Sequence, residues 1–212
     1  MEQERKPSRR ERRRLATREE ILQAARELLL EAGPEELTLR QVARAADFSP
    51  ASLYTYFSSR DEIIASLLAE SFRRLDLYLR RVPADLPPDE RVIELGMAYM
   101  DFARHNPIDL RCILSASARS APEGGASSLG LEAARLIGRT FREGVEQGVF
   151  VATDELTCAE MAYSVWALVH GMVSLDRVEL SEVAGDVCAA PRRVLEAYVA
   201  RLKMAAASPG PR

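Results

Sequence analysis

Residues 37–60 of the chain are Leu-Thr-Leu-Arg-Gln-Val-Ala-Arg-Ala-Ala-Asp-Phe-Ser-Pro-Ala-Ser-Leu-Tyr-Thr-Tyr-Phe-Ser-Ser-Arg. Two short helices joined by a tight turn fit this stretch. Thr38 is a good N-cap for the first helix, because a threonine hydroxyl accepts a hydrogen bond from an open N–H of the first turn. Ser49 is the corresponding cap of the second helix, and Pro50 follows it at a position where a missing N–H costs nothing. The stretch therefore predicts a helix-turn-helix.

The apolar residues of both helices recur at helical spacing. In the first helix they form a narrow buried stripe: Leu39, Val42, Ala43 and Ala46. In the second helix Leu53 and Phe57 are four residues apart and face inward, which leaves a small, hydroxyl-rich outer face of Ala51, Ser52, Thr55 and Tyr56. Such a helix fits the major groove of DNA, which is about 12 Å wide. A pair of ordinary capped helices in an all-helical core is the alternative interpretation.

The most specific motifs of this region are Leu53-Tyr54-x-Tyr56-Phe57 followed by Arg60, and Thr38-Leu39 followed by Val42-Ala43. With these motifs, residues from about 17 to 70 closely resemble, without gaps, the DNA-binding domain of the TetR family. The resemblance implies an all-α protein. Its N-terminal three-helix DNA-binding domain contains the helix-turn-helix, and its C-terminal helical domain binds a ligand and forms the dimer.

The resemblance also implies a role for each of nine residues. Thr38 and Arg60 match phosphate-contacting positions, and the aromatic hydroxyls that hold the sugar-phosphate backbone match Tyr54 and Tyr56. Arg40 matches a position that reaches a base edge or the backbone. The groove-facing positions of the second helix match Pro50, Ala51, Ser52 and Thr55. Phosphate contacts set the register, whereas base contacts carry sequence information, so the candidates for specificity are Arg40, Ala51, Ser52 and Thr55. Where family members often have Gly in the turn, this chain has Asp47.

The chain has 212 residues and a formal net charge of −3, a length sufficient for a small N-terminal module and one larger domain. Its charge is unevenly distributed: residues 1–60 hold 12 Lys and Arg against 10 Asp and Glu, and the remainder holds 17 against 22. Basic residues are concentrated between Arg5 and Arg14, where Glu11 is the single acidic residue. A basic arm here can follow phosphates or enter a minor groove. The alternative is a disordered, solubilising tail.

Four segments are predicted along the chain: a basic, disordered arm at 1–16, the helix-turn-helix DNA-binding domain at 17–62, the helical effector-binding and dimerisation domain at 63–206, and a disordered tail at 207–212. No stretch shows the sustained alternation that marks strands. A long helix from Arg60 to about Arg81 connects the two domains. A loose segment rich in Ser, Gly and Pro is predicted from Ser120 to Gly130.

The last two predicted helices, at about 154–175 and 186–206, have features of a dimer interface. The first is apolar nearly all round, which indicates burial on more than one side, and a stripe of small residues along it allows another backbone to approach. The predicted interface residues are Ser164, Ala167, Gly171, Ser174, Val194, Tyr198 and Leu202. A four-helix dimer interface is also what the family resemblance implies, and a dimer reads two half-sites about 34 Å apart. Two core helices that pack only within one chain are the alternative.

The family resemblance implies an effector pocket in the second domain. Its candidate wall residues are Leu67, Phe72, Met97, Tyr99, Met100, Phe102, Ile113, Met161, Trp166 and His170. Mostly apolar walls with a few polar groups suit a hydrophobic small molecule, whose identity the sequence does not give. Trp166-x-x-x-His170-Gly171 further resembles a Trp-x-x-x-His-Gly signature of one TetR subgroup. A core histidine with a satisfied hydrogen bond is the alternative interpretation of His170.

Enzymatic chemistry is not indicated by the sequence. His105 and His170 are the only histidines, and neither stands in a metal-ligand spacing or a nucleophile motif. Cys112, Cys158 and Cys188 lie far apart and form no Cys-x-x-Cys, which predicts isolated thiols rather than a metal site or a disulfide framework. We therefore predict no catalytic residues, no metal and no cofactor.

The predicted function is that of a sequence-specific, DNA-binding transcriptional regulator. Its predicted form is a homodimeric repressor that a small, mainly hydrophobic ligand releases from a palindromic operator. An activator, a regulator without a ligand and an architectural DNA-binding protein would share the same features. No apolar run reaches the roughly 18 residues that span a membrane, and the charged N-terminus does not resemble a signal peptide. The predicted location is the cytoplasm, with no membrane partner.

Overall fold

The computed structural model describes residues 8–32, 37–117, 126–154, 156–175 and 190–204. Within these ranges the chain forms α-helices and no strand, so the all-α prediction is confirmed. The helices are α1 Arg9–Ala32, α2 Leu39–Ala45, α3 Pro50–Leu53, α4 Arg60–Leu79, α5 Pro88–His105, α6 Pro107–Ser117, α7 Ala126–Glu146, α8 Cys158–Leu175 and α9 Pro191–Met204. None of the helices in the described ranges has both the length and the apolar character that a membrane crossing requires.

The chain divides into two compact units. The first contains Met1–Ser71 and Ile108–Ser127, and the second contains Phe72–Pro107 and Ser128–Arg212. The boundary predicted from the sequence lies earlier, at residues 62 and 63. The difference arises because Ile63 and Leu67 are buried in the core of the first unit, which keeps the first half of α4 with α1, α2 and α3.

The core of the first unit is formed by the apolar faces of α1, α2, α3 and α4. Its buried residues are Ile21, Leu22, Ala25, Leu29, Leu37, Val42, Ala43, Leu53, Phe57, Ile63 and Leu67. Leu53 and Phe57 are both 0% exposed, as their spacing predicted. Burial of one such side chain contributes about 1.5–3 kcal/mol, so the inner face of the second motif helix is firmly anchored.

Polar contacts attach α6 to the same unit, which corrects its predicted place in the second domain. Ser71 Oγ lies 2.8 Å from Asp109 Oδ1, and both side chains are buried. Arg111 Nη1 donates to the Leu29 carbonyl oxygen over 3.2 Å. Nearby, burial raises the pKa of the Cys112 thiol to about 11, with a further contribution from the Asp109 carboxylate. The thiol is therefore protonated at neutral pH.

Helix α1 begins at Arg9 rather than at residue 17, which corrects the predicted disordered arm over residues 9–16. A capping box at Ser8 and Glu11 explains the earlier start. The Glu11 N–H donates to Ser8 Oγ over 3.2 Å, and the Ser8 N–H donates to Glu11 Oε2 over 2.6 Å. The bond from the Ser8 N–H, followed by a contribution from the Ser8 hydroxyl, lowers the pKa of the Glu11 carboxyl group. Residues 1–7 and the predicted tail at 207–212 lie outside the described residues.

In the second unit, α5 packs against α8 and α9. Gly96 makes the close approach of α5 possible, because a Cβ atom there would lie 2.8 Å from Leu195 Cδ1 and 3.3 Å from Val169 Cγ2. The free thiol of Cys158 is half-buried at the start of α8, while Cys188 lies outside the described residues. Both α8 and α9 are present where the sequence predicted the last two helices, with narrower bounds.

Helix α7 begins at Ala126, so the predicted loose segment is helical over residues 126–130. Its other part, residues 120–125, lies outside the described residues. The helix ends in a Schellman motif, in which the Val149 N–H donates to the Gly144 carbonyl over 2.7 Å and the Gly148 N–H to the Val145 carbonyl over 3.0 Å. Gly148 has φ = 72°, a conformation that glycine adopts without strain.

Candidate DNA interface

The turn between α2 and α3 is also a Schellman motif, with Asp47 at the position that glycine usually holds. The Phe48 N–H donates to the Ala43 carbonyl over 2.8 Å, and the Asp47 N–H donates to the Arg44 carbonyl over 3.3 Å. Asp47 adopts φ = 58°, in the left-handed region that Asp tolerates better than most residues. Its presence in place of Gly therefore preserves a tight turn.

The two predicted N-caps are confirmed. Thr38 Oγ1 accepts from the Gln41 N–H over 3.2 Å, while the Thr38 N–H donates to Gln41 Oε1 over 2.9 Å. This capping box fixes the start of α2. Ser49 Oγ accepts from the Ser52 N–H over 3.1 Å at the start of α3.

The second helix of the predicted helix-turn-helix continues beyond α3 itself. Helical hydrogen bonds continue beyond Leu53: the Tyr56 and Phe57 N–H groups both donate to the Leu53 carbonyl, over 2.9 and 3.0 Å, and the Thr55 N–H donates to Ser52 over 3.1 Å. We call residues 50–57 the recognition segment. Because its inner side chains are buried and its backbone is bonded, the outer side chains project from a fixed frame.

The predicted DNA-contacting residues lie together on the outside of the first unit. The exposed ones are Thr38, Arg40, Pro50, Ala51, Ser52, Tyr54 and Thr55. Tyr54 is the most prominent aromatic residue of this set, at 58% exposed. Tyr56 and Arg60 are half-buried.

Two hydroxyl groups of the recognition segment are already oriented by local hydrogen bonds. Thr55 Oγ1 donates to the Ser52 carbonyl oxygen over 2.7 Å, and Ser52 Oγ lies 2.8 Å from Ser49 Oγ. A hydroxyl has one donor and two acceptor sites. The Thr55 oxygen, with its hydrogen already used, is therefore available as an acceptor.

Tyr56 and Arg60 connect the recognition segment to its surroundings. The Tyr56 ring packs edge-on against Phe48 in the turn, with ring centroids 6.1 Å apart. Arg60 Nε donates to the Leu37 carbonyl over 2.7 Å, which ties the start of α4 to the residue before Thr38. This bond brings the two predicted phosphate-contacting residues, Thr38 and Arg60, close together.

Arg18 on α1 supports the recognition segment, a role that was not predicted from the sequence. Its guanidinium lies 4.0 Å from the centre of the Phe57 ring, its Nη1 donates to the Tyr56 carbonyl, and Nη1 is 3.3 Å from Glu62 Oε1. The Glu62 carboxylate also accepts from the Ser58 N–H over 2.7 Å. That backbone hydrogen bond is the main cause of a lowered Glu62 pKa, with smaller contributions from the Ser58 hydroxyl and Arg18.

A signal for Arg18 was present in the sequence. It lies three, four and seven residues before Ile21, Leu22 and Ala25, on the same helical face. An arginine at a core-facing position needs a partner, because burying a charge without one is costly. The partner could not be named, since Tyr56 and Phe57 are 38 and 39 positions away in the chain.

The chemical groups of this surface are those that suit DNA. Across the described ranges, no group of three His, Cys, Asp or Glu side chains could hold a metal ion. The exposed groups are hydroxyls, a phenol, an arginine and small side chains, which are the groups that contact phosphates and base edges of DNA.

Comparison with known proteins identifies the family. A family model for bacterial regulatory proteins of the tetR family matches residues 21–67. A second model, for the tetracyclin repressor-like C-terminal domain, matches residues 92–202, more than half of the chain. The chain belongs to the TetR family. The first match contains the whole helix-turn-helix, and the second contains α8 and most of α9.

Relatives and solved structures agree with this assignment. An uncharacterized HTH-type transcriptional regulator of Mycobacterium bovis is 28% identical over 146 residues, which is 68% of each chain. A tetR-family regulatory protein from Rhodococcus RHA1 has a TM-score of 0.70 at 18% identity, covering 88% of this chain and 96% of that one. The TetR regulator PfmR from Thermus thermophilus has a TM-score of 0.65 at 23% identity, with 93% and 96% covered.

This TetR-family protein is a DNA-binding transcriptional regulator and not an enzyme. Both statements confirm the interpretation of the sequence. The residues that contact the DNA stay predictions.

The predicted effector-pocket residues are divided between the two units. Leu67 and Ile113 are buried in the first unit. The remaining eight belong to the second unit: Phe72, Met97, Tyr99, Met100, Phe102, Met161, Trp166 and His170. Three of them are linked directly, because the Tyr99 hydroxyl lies 2.6 Å from His170 Nδ1 and the Trp166 ring lies 5.2 Å from the His170 ring.

The predicted dimer residues differ in exposure within one chain. Ala167 and Ser174 are exposed, and Ser164, Gly171, Val194 and Tyr198 are half-buried. Leu202 is buried within its own chain, which gives it an intrachain packing role whether or not a dimer forms. Two large apolar side chains that were not predicted for the interface, Tyr163 and Leu175, are exposed on α8 at 66% and 51%.

Proposed function

We propose that this TetR-family protein is a homodimeric repressor that binds a palindromic operator and leaves it when a small, mainly apolar ligand binds. The observation that carries the proposal is the recognition segment: its inner face is fully buried, and its outer face presents Ala51, Ser52 and Thr55 from a hydrogen-bonded frame. Side chains held in a fixed frame can discriminate base pairs without first being ordered. We place the protein in the cytoplasm.

The proposed DNA contacts fall into two groups. Thr38, Tyr54, Tyr56 and Arg60 contact the sugar-phosphate backbone and set the register. The residues that face base edges are Arg40, Pro50, Ala51, Ser52 and Thr55, with Pro50 and Ala51 offering apolar contact of the kind that a thymine methyl accepts. The acceptor oxygen of Thr55 suits an amino group of cytosine or adenine, because those groups are the donors in the major groove.

A two-fold dimer follows from the geometry of such operators and from the surface of α8. Tyr163 and Trp166 are 66% and 43% exposed, and Ala167 beside them is exposed as well. Gly171 lies on the same side of the helix, and a Cβ atom there would meet no described atom within 4 Å. No contact among the described residues therefore requires glycine at this position. A second copy of α8 packed against the small residues would explain it.

We propose that the effector binds in the second unit, near the aromatic residues of α5 and α8. Tyr99 and Phe102 are buried with ring centroids 6.4 Å apart, and Phe102 contacts Tyr78 at 5.6 Å. Apolar and aromatic walls with few polar groups suit a hydrophobic ligand. Helix α4 is the covalent route from this unit to the recognition segment, since it is one continuous helix whose first twelve residues belong to the DNA-binding unit.

Release from the operator is a shift between two conformations of the dimer. A ligand that prefers the conformation with displaced α4 helices changes the separation of the two recognition segments. The shift is limited by the difference in ligand affinity for the two conformations.

The proposal is tested by selecting genome fragments with the purified full-length protein at two salt concentrations. Recovery of a short inverted repeat, bound by one dimer, is the expected result. Thr55→Ala should then reduce discrimination at one base pair of each half-site by about 1–3 kcal/mol, while Arg139→Gln, at an exposed position of α7, should leave it unchanged. Recovery of no common sequence, with binding that disappears as salt rises, would contradict a specific repressor and favour an architectural DNA-binding protein.

A further inference from the structure

Tyr99 on α5 and His170 on α8 form a polar pair inside the second unit. The Tyr99 hydroxyl lies 2.6 Å from His170 Nδ1, and Tyr99 is 6% exposed. The other ring nitrogen of His170, Nε2, is buried too, and it has no hydrogen-bond partner among the described residues. Since unpaired buried donors and acceptors are destabilising, this nitrogen requires an explanation.

Counting donors and acceptors assigns the tautomer of His170. A neutral imidazole has one N–H donor and one acceptor nitrogen, and a phenol has one O–H to donate. If Nδ1 carried the hydrogen, the Tyr99 O–H would lose its acceptor and Nε2 would lack a donor. If Nδ1 accepts from Tyr99 instead, only the Nε2–H is left unpaired. The second arrangement leaves fewer unpaired groups, so Nε2–H is the donor.

The surroundings keep the pair uncharged. Burial lowers the pKa of His170 and raises the pKa of Tyr99, so that the imidazole and the phenol are both neutral at pH 7. The rings that contact the imidazole belong to Tyr99 and Trp166, with centroid distances of 5.5 and 5.2 Å. Nε2–H is thus a neutral donor on an imidazole that contacts two aromatic rings.

Trp166 is the part of this cluster that lies on the outside of a single chain, on the face of α8 proposed for the dimer. Its side chain is 43% exposed, whereas that of Tyr99 is nearly inaccessible. Next to His170, at Gly171, a Cβ atom would meet no described atom within 4 Å. Trp166 is therefore the neighbour of His170 that packing within one chain holds least.

We propose that His170, oriented by Tyr99 and flanked by Trp166, is the polar recognition point for the effector, and that the effector is a neutral, largely apolar ring compound with a carbonyl oxygen. This inference rests on the proposed ligand-responsive function. The carbonyl oxygen accepts from Nε2–H, and the ring system packs on the aromatic side chains. An ammonium group is disfavoured because it is a donor and cannot accept from Nε2–H. A carboxylate is disfavoured because its charge would be unpaired in an aromatic environment.

The first experiment reads the tautomer directly. His105 and His170 are the only two histidines of the chain, and His105 is exposed on α5, so it serves as an internal reference. A two-bond ¹H–¹⁵N imidazole spectrum of the full-length protein at pH 7 is expected to show His170 as the neutral Nε2–H form. A protonated ring, or hydrogen on Nδ1, would overturn the inference.

The second experiment measures binding through Trp166, the only tryptophan of the chain. The probes are saturated ketones of two, three and four fused rings, beginning with 1-decalone. Each is paired with its parent hydrocarbon and with a carboxylic acid of the same ring system. We expect at least one ketone to shift the Trp166 emission and to bind about tenfold more tightly than its hydrocarbon, which is the effect of one hydrogen bond to a buried donor. The matching acid should bind more weakly than the ketone.

Variants locate the effect at His170. His170→Phe keeps an aromatic ring but has no N–H, so it should bind ketone and hydrocarbon equally. Tyr99→Phe removes only the hydroxyl and should admit the Nδ1–H tautomer, with a reduced preference for the ketone. The matched control is His105→Phe, which makes the same replacement at the exposed histidine of α5 and should leave the preference for the ketone unchanged. A cooperative thermal transition, followed by circular dichroism, shows that each variant folds.

Three results would overturn the inference: no ketone of the series binds, a ketone binds no better than its hydrocarbon, or His170→Phe keeps the preference. None of these measurements contains DNA, so they are independent of the repressor proposal. A ketone that binds with the expected preference but leaves the operator complex intact would contradict ligand-controlled repression and leave the binding site established.

Discussion

At the scale of single residues, Asp47 shows how a departure from the family pattern is accommodated. The turn of the helix-turn-helix needs one residue in the left-handed region, where a side chain costs roughly 1–2 kcal/mol and glycine costs nothing. Asp47 meets the requirement with φ = 58°. The two Schellman hydrogen bonds to Ala43 and Arg44 hold it there.

Asp47→Gly should therefore stabilise the protein. We expect the free energy of unfolding to rise by about 0.5–1 kcal/mol, because relief of the left-handed strain exceeds the entropy that glycine gains in the unfolded chain. Asp47→Ala, whose side chain cannot make the local hydrogen bonds that help Asp in this region, should lower the same quantity. Urea unfolding of the three proteins measures both changes. If the Gly and Ala variants are equally stable, residue 47 does not adopt the left-handed conformation in the turn.

Glu62 gives a pH dependence with a definite sign. Hydrogen bonds from Ser58, first of all its backbone N–H, lower the pKa of the Glu62 carboxyl from its ordinary value of 4.5. A lowered pKa in the folded state means that the unfolded state binds the proton more readily. The stabilisation is thus complete above about pH 4.5 and is lost as the pH falls below that value.

Glu62→Gln should remove this contribution. The variant is expected to be less stable than the parent at pH 7, and the difference should shrink as the pH is lowered from about 5 to about 3. Thermal unfolding at several pH values measures it. Glu160→Gln, at the start of α8, is a useful comparison, because the hydrogen bonds of Thr157 lower the pKa of Glu160 in the same way and Glu160 belongs to the other unit. A pH-independent difference for Glu62→Gln would exclude the carboxylate as its source.

Single residues also show which contacts can be predicted from the sequence and which cannot. Thr38 and Ser49 were predictable as caps from the sequence, because the N–H groups that a cap bonds are only three residues away, at Gln41 and Ser52. The ion pair between Arg26, which is 3% exposed, and Glu70 on another helix was not predicted. A local hydrogen bond can be predicted because both partners are close in the sequence. A buried ion pair between two helices cannot, because it depends on which helices pack together.

At the scale of the helices, the N-terminal extension of α1 is the largest difference from the sequence-based prediction. The Ser8–Glu11 capping box was present in the sequence, but the arginine-rich composition favoured disorder as an interpretation. In the structure Arg9, Arg10, Arg13 and Arg14 are exposed on a helix. Arg18, a few residues along the same helix, contacts the C-terminal end of the recognition segment, so the arginines extend from the DNA-binding surface on a helical frame.

Replacing Arg9, Arg13 and Arg14 by Gln should weaken operator binding through its salt dependence. The slope of log Kobs against log salt should become smaller by about 0.9 for each phosphate that the variant no longer neutralises, with the base preferences unchanged. Ser8→Ala, which removes the cap without changing the charge, should lower affinity less and leave the slope nearly unaltered. Arg139→Gln with Arg142→Gln, two exposed arginines of α7, is the matched control. Unchanged slopes in the triple variant would mean that the extension does not touch DNA.

At the scale of the whole molecule, the sequence predicted the family, the all-α class and the position of the DNA-binding helices. It did not predict that α6 belongs with those helices. The apolar pattern of α6 requires burial, but it does not say against which unit. The assignment depends on Ser71, Asp109, Arg111 and Leu29, which come together only in the folded chain. The proposed dimer face could not be predicted precisely for the same reason. The sequence shows that α8 is apolar, but only the structure shows which of its residues stay exposed after the chain has folded.

Gly171 allows the proposed dimer to be tested with a matched pair of variants. Gly171→Leu and Gly138→Leu each place a large side chain where the described residues leave room. Apart from the backbone of the helix itself, no described atom lies within 4 Å of a Cβ atom at position 171. At position 138 the one such atom is Arg142 Nη1, at 3.9 Å. Both changes should stabilise their helices by about 0.8–1 kcal/mol, because glycine is a poor helix former.

Only the α8 variant should weaken the dimer. In the proposed interface the new leucine meets the partner's backbone, and overpacking of this kind costs about 1–3 kcal/mol, which raises the dissociation constant about 5- to 150-fold. Sedimentation velocity over a concentration series measures it, and operator affinity at low protein concentration should fall in parallel. If Gly171→Leu stays as dimeric as Gly138→Leu, the small-residue face of α8 is not where two copies meet, and the exposed Tyr163 and Trp166 would need another partner.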